Sequence, residues 1–139
     1  MRISRVINFS NAMLLAVLAM TEVHAQGQTI EEVARTIASQ HNANSLVLKD
    51  EMVAASTAKV MGKKIIFENT LRVRQGLSAA KLKQFAEHTQ DEVIPKTCAV
   101  RGNAIGFDRG MSYQFIYKNL YGDLLADFHV NKAVCERFQ

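Results

Sequence analysis

The residues of this chain best able to carry chemistry are Cys98 and Cys135, with three histidines beyond residue 25: His41, His88 and His129. Zinc sites draw ligands from Cys-x-x-Cys, His-x-His or His-x-x-x-His pairs, and no two of these five residues stand that close. His129 and Asp127 share one strand face and come nearest to a divalent-ion pair; no metal or other cofactor is expected. Nucleophilic catalysis needs a Ser, Cys or Thr beside an oriented base, and the chain holds no Gly-x-Ser-x-Gly elbow. Glu68 and Asp127 are the carboxylates a glycosidase pair would have to use, yet both read as solvated charges on strand faces. No catalytic residue is expected.

Gly102, Gly106 and Gly110 recur at every fourth position among Arg101, Asn103, Asp108 and Arg109. This spacing suits close helix packing or a phosphate cradle. The Gly-Lys-Ser/Thr ending of a phosphate loop and the strand before a dinucleotide site are both missing. The segment 98–110 is therefore expected to be a loop with one short helical turn, carrying Ile105 and Phe107 inward.

The N-terminus bears on what the cysteines do. Arg2 and Arg5 precede the apolar run Ala12–Met20, and Val23 and Ala25 occupy the −3 and −1 positions of a small-residue cleavage site. About nine apolar residues are too few for a membrane span, which needs roughly 20. Residues 1–25 thus read as a signal peptide and 26–139 as a single exported domain, periplasmic or secreted, with no membrane anchor after cleavage. Loss of Arg2, Arg5 and Glu22 takes the 17 basic and 13 acidic residues to 15 and 12, a net of +3. Those cations are dispersed, so nucleic acid is not an expected partner; Lys59, Lys63 and Lys64 read as a solvated hairpin tip. In an oxidising compartment, two cysteines without metal or redox spacing are expected to form one disulfide, Cys98–Cys135.

The elements that position these residues follow from hydrophobic period. Thr29 and Glu32 form a capping box, and Ile30, Val33, Ala34 and Ile37 line one helical face. The helix should fade over His41–Ser45, with His41 at its C-terminal end. From Asp50 the period becomes two. Gly62-Lys63 suits a type II′ turn that pairs Val60 with Ile65, Ala58 with Phe67, Ser56 with Asn69, Ala54 with Leu71 and Met52 with Val73. Ser56 and Asn69, if buried, must bond each other or water. Ser78 caps a second helix with Leu77 and Leu82 as a staple; Phe85, Ala86, Thr89 and Val93 continue its buried face. Pro95 should stop it within a residue or two. A turn at Gly122-Asp123 then pairs Tyr117 with Phe128 and Phe115 with Val130.

These elements predict a two-layer α+β domain of order αββαββ, with an antiparallel sheet covered on its aromatic face by two helices and one disulfide. Nothing in the pattern determines which hairpin edges meet. Cys98, Gly110, Tyr113-Gln-Phe-Ile-Tyr117, Gly122 and Cys135 together resemble small exported bacterial proteins of uncharacterised function, well over the C-terminal third and loosely elsewhere. The resemblance implies an exported α+β domain and brings no catalytic residues with it.

Recognition is the function left open. Ile66, Ile116 and Leu125 interrupt the polar face of the sheet; with Thr70, Gln114 and His129 they form a candidate interaction surface. The expected role is a non-enzymatic periplasmic or secreted binding protein, such as an accessory, inhibitor or immunity-like protein. Its partner would be an envelope or secreted protein or a second copy of the chain. The competing reading is a small hydrolase or ligand-binding enzyme with a cleft at 98–110. A deep pocket with converging polar groups beside Arg101, Asp108 or Arg109 would favour it.

Overall fold

The computed structural model describes residues 27–138, so the expected signal peptide and its cleavage site lie outside the described residues. Eight elements follow in order: α1 (Ile30–Ala43), β1 (Val53–Met61), β2 (Lys64–Leu71), α2 (Ala79–Ala99), α3 (Arg101–Asp108), β3 (Ser112–Asn119), β4 (Leu124–Val130) and α4 (Lys132–Arg137). The expected α+β order is present, with two short helices added.

Helix α1 begins at the capping box: Glu32 N–H donates to Thr29 Oγ1 at 3.2 Å, and Thr29 N–H donates to Glu32 Oε2 at 2.9 Å. Two otherwise orphaned donors are satisfied reciprocally. Its stripe of Ile30, Val33, Ala34 and Ile37 is buried, with Ala38 and His41 extending it. At its last turn Asn42 behaves like a piece of strand. Its side-chain amide donates to the Ala58 carbonyl at 2.8 Å and accepts from the Ala58 N–H at 2.7 Å, closing part of the outer edge of β1.

The first hairpin turns at Gly62, with φ +62°, and among the described residues no non-glycine residue has positive φ. That is the type II′ arrangement, with the one left-handed position given to glycine. Pairing agrees with expectation from Val60–Ile65 through Ala58–Phe67 to Ser56–Asn69. Beyond that a bulge intervenes, and Leu71 pairs with Val53 instead of Ala54. The Met52–Val73 pair is likewise replaced by a bond from Arg72 N–H to the Met52 carbonyl at 2.7 Å. Arg72 accounts for the irregularity: its guanidinium donates to the carbonyls of Asp50 and Val53 at 2.6 and 3.0 Å, partners that a regular ladder would leave turned away.

The second hairpin departs further. Asn119 N–H donates to the Asp123 carbonyl and Gly122 N–H to the Asn119 carbonyl, at 3.0 and 3.1 Å, with Gly122 at φ +86°. This three-residue loop replaces the expected two-residue turn at Gly122-Asp123. Tyr117 therefore pairs with Ala126, Phe115 with Phe128 and Tyr113 with Val130. The slip is two residues, an even number, so every aromatic keeps its expected face. The longer loop is held by Asn119, whose Oδ1 accepts from the N–H groups of Tyr121 and Asp123 at 2.9 and 3.0 Å.

Strand order is β1-β2-β3-β4. Each hairpin is antiparallel as expected, while the seam between them is parallel: Ile65 beside Tyr113, Phe67 beside Phe115 and Asn69 beside Tyr117. The sheet is thus mixed. A parallel seam requires a long crossover, and residues 72–111, with α2 and α3, supply it. Helix α1 lies against β1 and α2 against β4, enclosing a core that includes Phe67, Leu71, Phe85, Tyr113, Phe115, Tyr117 and Phe128.

Two expectations about 78–110 need correction. Helix α2 starts at Ser78, whose side chain accepts from Lys81 N–H at 3.2 Å, but it runs through Pro95 to Ala99. Pro95 and Asp91, the residue whose carbonyl it leaves without a helical partner, are both exposed, so the missing N–H does not end the helix. The expected loop is largely helix α3. Gly102, Asn103, Gly106 and Phe107 form its buried stripe; Ile105 falls on the other side, 41% exposed. A Cβ at Gly106 would collide with the Met111 side chain, so glycine here permits close approach. Asn103 then ties the crossover together. Its Nδ2 donates to the Thr97 carbonyl at 3.0 Å, and its Oδ1 accepts from Tyr113 Oη at 2.7 Å.

Candidate interaction surface

Cys98 and Cys135 are bonded, with Cα atoms 5.5 Å apart. Cys98 is on α2 and Cys135 on α4, a helix capped by Asn131, whose side chain accepts from Val134 N–H at 2.9 Å. The bond fastens the exit of the last strand to the long helix. Among the described residues no three His, Cys, Asp or Glu side chains converge as a metal ion would require. Asp127 and His129 are exposed on β4, and Asp127 accepts from Gln114 Nε2 at 2.9 Å.

Among the described residues His41 and Ser56 form the one Ser–His pair in hydrogen-bond contact, at 2.9 Å, and it is sealed in the core. Ser56 Oγ donates onward to Asn69 Oδ1 at 2.8 Å, so His41 must donate its Nε2–H to Ser56. The expected Ser56–Asn69 bond is present, completed by a residue expected only at a helix end. Burial lowers the His41 pKa from 6.5 to about 4, keeping the ring neutral. The ring packs in a T-shaped arrangement with Phe67 at a centroid distance of 5.1 Å. A buried serine with no path to a substrate is a packing device.

The segment 98–110 offers a modest hollow of about 250 Å³, lined by Cys98, Ala104, Phe107, Asp108, Lys132, Cys135 and Glu136. Its charges are partly matched, Asp108 facing Lys132 at 3.6 Å. Arg109 is turned away, donating to the Gln28 carbonyl at 2.7 Å. Burial also pushes the Tyr113 hydroxyl far above its usual pKa, so it remains a neutral donor to Asn103.

Of the sequence-predicted surface residues, Ile66, Thr70, Gln114, Ile116 and His129 share the face of the sheet that the helices leave uncovered. Ile66 sits beside Gln114, Gln114 beside His129, and Ile116 between Glu68 and Asp127. Their surroundings are largely self-satisfied. Lys118 pairs diagonally with Glu68 at 2.6 Å, Gln114 bonds Asp127, and Ile66 is only 6% exposed beneath these neighbours. Leu125 is not on this face. A register shift between Tyr117 and Lys118 pairs Lys118 with Leu124, leaving Leu125 as the extra residue, buried in the core cluster.

A groove that sequence reasoning missed lies where Leu125 turns in. One lobe, about 450 Å³, is lined by Arg72, Val73, Arg74, Leu77, Lys81, Gln84 and Phe85. A second, about 290 Å³, shares Arg74 and Leu77 and adds Gly76, Leu82, Asn119, Asp123, Leu124 and Leu125. Val73, Phe85 and Leu125 are buried beneath it, and the adjoining loop leaves Leu120, Tyr121 and Leu124 each more than half exposed. Arg74 and Lys81 have no side-chain partner among the described residues. The signal was present in Arg72, Arg74 and Lys81 flanking Leu77, but these cations read as dispersed until the β2–α2 connection brought them to one rim.

No protein-family model matches the chain, and no curated protein sequence matches it. Solved structures share its fold. A Pseudomonas aeruginosa protein described as secreted aligns with a TM-score of 0.61 at 12% identity, covering 76% of this chain and 92% of its own. The type II secretion system pilotin AspS of Vibrio cholerae aligns at 0.53 and 21% identity, with the same coverages. The type 2 secretion system pilotin EpsS of Vibrio vulnificus aligns at 0.54 and 15% identity, covering 76% and 91%. At these identities the likeness is one of fold.

Proposed function

We propose that the chain is a non-enzymatic accessory protein of the cell envelope, exported by residues 1–25, whose work is to hold another polypeptide. The observation that carries this reading is the two-lobed groove of Arg74, Leu77, Leu82 and Phe85, an apolar concavity with unmatched cations on its rim. Groups of this kind recognise and anchor; they supply neither nucleophile nor general base. Two structures of the same fold are pilotins of a type II secretion system, which supports a role beside other envelope proteins. The burial of the Ser56–His41 pair supports the same conclusion.

The test is photo-crosslinking in the native envelope, with a benzoylphenylalanine placed singly at Leu77, Leu124 or Ile116. A discrete polypeptide adduct from Leu77 and Leu124 is expected. An adduct from Ile116 alone would move the interface to the open sheet face of Ile66, Thr70, Gln114 and His129. An adduct of twice the chain mass would make the partner a second copy. No adduct at any of the three positions overturns the proposal.

A further inference from the structure

We infer that the groove takes a polypeptide segment that is acidic and carries apolar anchor residues; this rests on the accessory reading above and names the chemistry of its partner. The two lobes meet at Leu77 and Arg74, so an occupant has an apolar group on either side of Leu77. That shape suits successive side chains of one segment better than a compact small molecule. The floor is recessed, with Phe85 at 1% and Val73 at 3% exposure. An occupant would cover the half-buried Leu77 and Leu82 and the exposed Leu124 around that floor, whose own residues stay held by the core.

Charge sets the rest. Arg72, Arg74 and Lys81 stand on the rim, and Asp123 is the one carboxylate lining either lobe. Asp123 is occupied: Asn119 Nδ2 donates to its Oδ2 at 2.9 Å. The Arg72 guanidinium is fixed by the Asp50 and Val53 carbonyls, which hold its charge in place without neutralising it. Cations grouped at the edge of an apolar floor attract carboxylates placed beside apolar anchors and repel basic segments. A membrane surface is the less suitable partner, since it would meet the rim while leaving the recessed floor unfilled.

The experiment is a display selection of random 16-residue peptides on the purified protein, followed by fluorescence anisotropy of the enriched peptides. Enriched sequences are expected to carry net negative charge with Leu, Ile, Val or Phe anchors. They should bind Arg74→Glu about tenfold more weakly and Ile116→Asp as well as the parent. Folding of each variant is checked by circular dichroism, and Lys81→Glu provides a second rim reversal should Arg74→Glu not fold. Enrichment of neutral or basic peptides, or binding indifferent to both rim reversals, overturns the acidic partner while leaving polypeptide binding intact. Absence of any enrichment, with amide shifts confined to Leu77, Lys81 and Leu124 on adding phosphatidylglycerol vesicles, overturns both in favour of a lipid surface. Absence of both responses overturns both outright.

Discussion

His41 should make this fold sensitive to acid through a single buried ring. Its neutral imidazole donates to Ser56, Ser56 donates to Asn69, and its Nδ1 has no partner among the described residues. A second proton on Nδ1 would create an unpaired buried charge. The folded pKa is therefore lowered to about 4, against 6.5 for an exposed ring. Between those values the unfolded chain binds the proton and the folded one does not, so acid favours unfolding. The stability is fully present above pH 6.5, declines as pH falls toward 4, and is fully lost below it. At 1% exposure solvent screening is small. At about 1.36 kcal/mol per tenfold, the loss is about 1.4 kcal/mol at pH 5.5 and about 2.5 kcal/mol at pH 4.5. Against a typical total of about 5–15 kcal/mol this is a substantial share. Urea unfolding followed by circular dichroism at pH 7.5, 5.5 and 4.5 measures it, and the midpoint should fall on the order of 1–2 M across the series. His41→Gln keeps a donor for Ser56 but does not titrate. Its pH dependence should be shallower than the parent's by about 2.5 kcal/mol at pH 4.5. Equal losses in both proteins would refute the reasoning and assign the acid sensitivity to carboxylates.

Three further outcomes concern the crossover and its clasp. Reduction of Cys98–Cys135, which closes a loop across 37 positions, should cost about 3–4 kcal/mol, seen as a lower urea midpoint in dithiothreitol; unchanged stability would show that the two ends stay ordered without the bond. Asn103→Leu should destabilise by about 1–3 kcal/mol, because the Tyr113 hydroxyl and the Thr97 carbonyl lose their partner. Tyr113→Phe should cost less, and the reverse order in thermal unfolding would show that the buried bonds are not what matters. Gly106→Ala should destabilise by about 1–2 kcal/mol despite alanine's better helix propensity, since the new Cβ meets Met111 at 1% exposure. Met111→Ala in the same chain should recover part of that loss if the collision is its cause.

Local chemistry was legible wherever one short stretch decides its own conformation. The Thr29–Glu32 box, the Ser78 cap, the Gly62 turn and the two-residue alternation of Tyr113, Phe115 and Tyr117 all depend on neighbours a few positions away, and each is present as read. The disulfide was legible because an isolated cysteine pair without metal or redox spacing leaves each cysteine one partner. The second hairpin shows the limit: alternation specifies a face, but slips of zero and two residues satisfy it equally, so the Asn119 loop decided the register. Bulges were invisible for a related reason. Val53 beside Ala54, and Leu124 beside Leu125, are both apolar, and only Arg72 and the three-residue loop determine which one turns inward. Pro95 and the glycines of α3 were misread because their propensities describe an isolated chain, whereas here an exposed proline and a buried close approach remove the penalty. The groove lay furthest from view. Arg74 and Leu77 adjoin Leu124 and Leu125 only because a parallel seam aligns the ends of β2 and β3 and thereby brings the start of β4 to the same rim. That seam is a pairing of distant strands, and long-range pairing is decided by the whole core at once.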